Sequence, residues 1–349
     1  MAQHISIYEA APLVAIIRGD IAESWHRGHL VVLDGKGQLI AQLGDPNAIT
    51  YLRSASKPQQ ALPLVVSGAA DRFGFTEAEL ALACGSHNGD AIHTATVCSM
   101  LSKIGLDESA LQCGAHEPYG SQTAREMRAA GLNPTALHNN CSGKHAGMLA
   151  VCRHVGDPTR GYMAIDHPQQ RRIVAVLEAM LGTSLANAPR GVDGCGLPQI
   201  GVSLLALARG MARFGSPDDI VQGCANACRS LAAAIVAEPF MLAGTNRFCS
   251  RVIAACAGAV LVKSGAEGVY VAALPGLGLG IALKIDDGAL RAAEVAMSHL
   301  LMTHARANDD ARVLLAELAT PTLFNVAGNS VGQIEIARRG AHRERDGRD

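Results

Sequence analysis

Apolar segments of strand length sit at both ends of this 349-residue chain, and the stretch between them reads as helix. Leu13 to Arg18, Gly28 to Leu33 and Gln38 to Leu43 form the first set, with Asp34-Gly35 as a hairpin signal between the last two. Val260 to Lys263, Val269 to Ala273, Leu279 to Ile285 and Val331 to Ile336 form the second, which a helix from Leu290 to Arg306 interrupts. The simplest assembly zips both sets into one sheet and leaves the middle as an insertion. The expected fold is therefore α/β: a mixed sheet with flanking helices built from both termini (residues 1–53 with 256–337), and an inserted, mainly helical domain (54–255). The charged tail, residues 338–349, reads as disordered.

Helix starts within the insertion carry recognisable chemistry. Thr76 with Glu79 fits a capping box, Asp166 is placed to cap a helix with Pro168 in its first turn, and Ser216-Pro217 opens another. Apolar residues recur at helical spacing in Ile173, Val176, Leu177 and Met180, and in Leu204, Leu205, Leu207 and Met211. Gly276-Leu277-Gly278-Leu279-Gly280 has the wrong spacing for a phosphate loop and precedes a strand, so it reads as a turn.

Composition removes several functional classes. A net charge of −1 and 3% aromatic residues give neither a basic footprint nor a stacking surface for nucleic acid. No apolar run reaches membrane-spanning length and no leader pattern is present, which favours the cytoplasm. Ten scattered cysteines then read as free thiols, with Cys98, Cys152, Cys249 and Cys256 as packing residues. A small-molecule substrate remains.

Only six lysines stand against twenty-four arginines, and three of the six lie in short polar motifs. Lysine, unlike arginine, can lose its proton when desolvated and then act as a base or ligand. In Ser54-Ala55-Ser56-Lys57, serine and lysine share one face of a helical turn, so a neutral Lys57 could take the proton of an attacking Ser54. Pro58 allows this only where a helix is beginning. Cys84-Gly85-Ser86-His87-Asn88 is a glycine-flanked loop able to present Ser86 and Asn88 to a cavity. Lys263-Ser264-Gly265 ends an apolar strand. Ser-x-x-Lys, Ser-x-Asn and Lys-Ser-Gly, in this order, follow the motif order of serine β-lactamases and penicillin-binding proteins. Cys141-Ser142-Gly143-Lys144-His145 and Asp193-Gly194-Cys195 add thiols and an amine that could bind zinc, with His145 or Asp193 as more ordinary ligands.

Taken together, these motifs resemble the rhizobial-type L-asparaginases, the asparaginase II domain family. The resemblance runs from about Pro12 to Ala337 and includes Leu52 to Pro58, Cys84 to His87, Asn140 to His145, His167 to Gln170, Val192 to Gly196 and Lys263 to Gly268. It implies a serine β-lactamase-like and serine glutaminase-like fold, a homodimer, and two serine–lysine tandems, Ser54 with Lys57 and Ser86 with Lys263. It also implies Arg53, Asn88, His145 and Asp193 as substrate-binding or supporting groups. A Zn2+ held by Cys141, Lys144 and Cys195 would tune substrate binding and take no part in hydrolysis. The implied reaction converts L-asparagine to L-aspartate and ammonia through an acyl-enzyme. A glutamine-preferring amidase, a penicillin-recognising enzyme and a non-catalytic binding protein are the alternatives.

Overall fold

A computed structural model describes residues 8–337, so the disorder expected of residues 338–349 lies outside the described residues. Eleven strands form among them: β1 Ala11–Arg18, β2 Ile21–Leu33, β3 Leu39–Leu43, β4 Ile49–Tyr51, β5 Arg190–Val192, β6 Pro198–Ser203, β7 Leu261–Ser264, β8 Val269–Leu274, β9 Leu279–Ile285, β10 Thr322–Phe324 and β11 Ser330–Ile336. The large sheet runs β10-β11-β1-β2-β9-β8-β7, with β3 also paired to β2. Its pairs are antiparallel. Ala15 of β1 faces Trp25 of β2 on one side and Glu335 of β11 on the other, and Val31 of β2 faces Ala282 of β9. The two ends of the chain thus interleave in one sheet.

All of β8 is buried, and helices Leu204–Gly215 and Leu290–His304 both pack on it, so its sequence is a continuous apolar run. At Gly280 the first of these helices comes so close that a Cβ would lie 2.0 Å from the Ala208 carbonyl oxygen. No side chain larger than hydrogen fits there.

A second sheet, β4-β6-β5, has no counterpart in the sequence reading; β4 and β5 are three residues each and largely exposed, and only β6 between them is buried. It matters for position. The Leu52 amide donates to the Ile200 carbonyl at 3.1 Å, which ties the turn bearing Ser54 to the strand that follows Cys195. The N-terminal half of β2, the strand β10 and the helix Asp309–Ala319 were likewise absent from that reading; β2 begins with the polar run Glu23-Ser24-Trp25-His26-Arg27, which carries no apolar signal.

Two helix starts differ from expectation. The cap ahead of Pro168 is His167, whose Nδ1 accepts the Gln169 amide, so Asp166 does not serve. Ser216-Pro217 opens only a 3-10 turn, Pro217–Asp219, and the next α-helix starts at Gln222. The capping box of Thr76 and Glu79 is complete, and it launches helix Glu77–Ala83 into the loop that carries Ser86. Helix Ser142–Val155 crosses this helix closely: a Cβ on Gly143 would meet Leu82 at 2.6 Å.

No helix among the described residues is long and apolar enough to cross a membrane. Packing at Gly280 gives a direct check. Gly280→Ala should destabilise the protein by about 1–3 kcal/mol through overpacking, whereas Gly276→Ala, with open space around it, should leave thermal unfolding unchanged.

Candidate active site

The Ser54 turn is bent into place. Arg53 has φ +46°, a left-handed conformation unusual for a residue with a side chain. Its amide donates to Gln199 Oε1 at 2.8 Å, and a Cβ on Gly265, just past β7, would lie 3.3 Å from both the Ala55 nitrogen and the Arg53 Cβ. After this 3-10 turn, Arg53–Ser56, Lys57 takes helical angles (φ −56°, ψ −38°) despite preceding Pro58. Helix geometry begins at the lysine, as the Ser-x-x-Lys reading required.

Lys57 does not turn back to Ser54. Its Nζ lies 2.9 Å from Ser86 Oγ and also donates to the Gly85 carbonyl and, at 3.4 Å, to that of Asn140. Lys263 Nζ, from β7, lies 2.9 Å from the same Oγ and donates to the Ser264 carbonyl at 2.8 Å. Instead of two separate tandems, both lysines converge on Ser86. Ser54 faces a cleft of about 770 Å³ that Arg53, Asp193, Cys195, His116 and Tyr119 also line.

A hydroxyl has one proton, so Ser86 donates to one amine and accepts from the other. Lys57 faces two carbonyls and Ser86, three acceptors for the three protons of an ammonium. Lys263 faces one carbonyl, which suits a neutral amine receiving the Ser86 proton. Burial lowers Lys57 below the usual lysine range. Burial, reinforced by the charge of Lys57, lowers Lys263 to about 7. Both amines are thus pushed toward the neutral form, and Ser86 Oγ lies within hydrogen-bond reach of each.

Beneath the cleft, Cys141, Lys144 and Cys195 meet. The Cys195 thiol donates to Cys141 and holds that thiol well below its usual range, helped by Lys57 and Lys144. Lys144 Nζ lies 3.5 Å from Cys195 Sγ; burial opposes its charge, but Cys195 and Cys141 raise it above the ordinary lysine value. Among the described residues no three His, Cys, Asp or Glu side chains group as a metal site. The cluster offers three donors because lysine supplies one, and two thiols with an amine, all buried, fit a soft divalent ion.

The other expected groups fall around this core. Asp193 lies 3.2 Å from Arg53 Nε and 3.9 Å from Cys195 Sγ. Asn88 donates to the Thr245 carbonyl at 3.3 Å. Tyr162 accepts the Gln112 amide and so gives its own proton to His145 Nδ1 at 2.7 Å. This leaves His145 Nε2 as a buried nitrogen without a partner. Burial, with Lys144 and Lys57, keeps that imidazole neutral.

Asn140, which opens the expected Asn140 to His145 motif without an assigned role, supplies the carbonyl that Lys57 shares with the His87 amide. Two site residues were missed in the sequence. His116 Nε2 accepts the Asn140 amide at 2.9 Å, and His116 stacks on Tyr119 with ring centroids 4.8 Å apart. His116 and Tyr119 lie on an irregular loop and carried no signal.

The sequence profile of L-asparaginase II matches residues 14–336. The chain belongs to the L-asparaginase II family. No curated protein matches the chain. Among solved structures it is similar to Mglu in its glutamate form, at 15% identity and a TM-score of 0.44, over 79% of this chain and 60% of that one. It is also similar to a β-lactamase from Mycobacterium bovis (13%, TM-score 0.38, 84% and 92% covered). A β-lactamase/D-alanine carboxypeptidase from Pseudomonas syringae gives 12%, 0.38, and the same coverage.

The lysine pair predicts opposite effects on stability and activity. The folded protein depresses Lys263, so between about pH 7 and 10.5 the unfolded chain binds more protons and stability rises with pH. Below about 7 the buried charge costs most. Lys263→Met should therefore raise the melting temperature more at about pH 6 than at about pH 9, while removing family activity. Equal shifts at both pH values would show that Lys263 is not held near neutrality.

Proposed function

We propose that the protein hydrolyses L-asparagine to L-aspartate and ammonia by serine–lysine catalysis. The observation that carries this reading is the buried pair of amines sharing one hydroxyl beneath a cleft that a second serine faces. Ser54 attacks the side-chain amide carbon. Its proton passes to Lys57, which first gives its extra proton through Ser86 Oγ to Lys263, becomes neutral, and must then swing from its resting acceptors toward Ser54. As the tetrahedral intermediate collapses, the same relay returns a proton to the departing nitrogen, and ammonia leaves. Water then hydrolyses the ester on Ser54 by the reverse sequence, releasing aspartate.

Cys141, Lys144 and Cys195 would hold a zinc ion, which when bound would fix the cleft floor and position substrate. Each ligand must first lose its proton, so bound zinc should fall on acidification. Cys195→Ser should lower bound zinc by at least about tenfold in a direct metal assay. Zinc content unchanged in that variant would remove Cys195 as a ligand.

Activity should rise with pH through about 7 as the lysine pair drops from two protons to one. Lys57→Arg keeps a charge but supplies no base, and should lose about a hundredfold or more of kcat. Ser54→Ala and Ser86→Ala should both abolish ammonia release from asparagine, tested beside glutamine. Mass spectrometry of quenched reactions should find the aspartyl ester on Ser54 and persisting in no Ser54→Ala sample. An ester on Ser86 would reverse the two roles, and no release from either amide by folded protein would end the asparaginase reading.

A further inference from the structure

An amino-acid amide brings a carboxylate into the cleft, and most cations around the cleft are already engaged. Arg53 faces Asp193, Arg128 pairs with Glu117, Arg125 donates to Gln122 Oε1 at 3.0 Å, and the two catalytic lysines face carbonyls and a hydroxyl. Arg247 differs. Among the described residues no carboxylate lies in ion-pair range of it, and its guanidinium rests 5.8 Å from the ring centroid of Tyr119, a wall of the cleft. A guanidinium held by an aromatic face, with its fork unused, is a receptor for a carboxylate.

The backbone that delivers Arg247 is built at some cost. Gly244 has φ +114° and Asn246 has φ +60°, two left-handed residues within one turn. A Cβ on Gly244 would lie 2.6 Å from the Asn88 amide group, and Asn88 donates to the Thr245 carbonyl. The turn is therefore clamped to the loop that carries Ser86, and Arg247 follows directly, at the start of helix Phe248–Cys256. A merely solvated arginine needs no such seat.

We propose that Arg247, braced by Tyr119, is the specificity-determining residue that takes the α-carboxylate of the substrate. The inference rests on the asparaginase reading, and two substrates separate them. The first is asparagine; the second is 3-aminopropanamide, which is asparagine without its carboxyl group. Arg247→Gln should raise KM for asparagine about 10- to 100-fold, the range of a charge-assisted hydrogen bond, with kcat changed far less. Turnover of the carboxyl-free amide should fall by at least tenfold less than that of asparagine. Arg247→Lys should recover part of the loss. Calorimetric binding of L-aspartate should weaken in parallel with KM, a readout that does not need turnover. Parallel loss on both amides, or unchanged aspartate affinity, would overturn the role of Arg247. Wild-type protein that binds aspartate through Arg247 but releases no ammonia from asparagine would instead overturn the asparaginase reading alone.

Discussion

Two buried lysines on one hydroxyl set the terms for the rest of the molecule. Burying one ammonium is costly, and burying two side by side costs more than the hydrogen bonds return. Burial pushes both Lys57 and Lys263 toward the neutral amine, and Ser86 Oγ bridges the two. Arginine at either position would stay charged and break the arrangement.

Three chain segments must meet for this to work, and the fold is arranged around their meeting. Lys57 starts a helix, Ser86 sits in the loop after helix Glu77–Ala83, and Lys263 ends β7. Close backbone approaches fix each relative to the next. Gly265 lets β7 press on the Ser54 turn, Gly143 lets the thiol-bearing helix cross at Leu82, and the Asn88 clamp seats the turn before Arg247. β7 pairs with β8, β8 with β9 and β9 with β2, so closing the sheet between the chain's two ends carries Lys263 to the serine. A local tandem in sequence thus becomes a long-range contact in space.

This explains which features were legible beforehand. Most strands of the large sheet and several helices announce themselves through apolar period, and the Ser-x-x-Lys, Ser-x-Asn and Lys-Ser-Gly motifs mark residues that meet in space. Lys263 reaches Ser86 as expected, whereas Lys57 does so instead of turning to Ser54. Spacing within Ser54 to Lys57 argues for a pair on one turn, but the Lys57 side chain has three acceptors within reach elsewhere, and hydrogen-bond satisfaction overrides proximity in sequence. The outer strands of the small sheet, β4 and β5, were missed because three largely exposed residues carry no period. His116, Tyr119 and Arg247 were missed because a loop residue acquires meaning only from what it faces.

The thiol cluster and the lysine pair are also one electrostatic system. Negative charge on Cys141 and Cys195 raises the proton affinity of Lys57, while the Lys144 ammonium lowers it. A change in the charge of the cluster is therefore felt at Lys57, although no cluster atom need touch the substrate. Coupling of this kind is reciprocal: whatever the cluster does to the basicity of Lys57, the protonation of Lys57 does to the cluster. The cluster can thus modulate catalysis from beneath the cleft, with its own side chains taking no part in bond making.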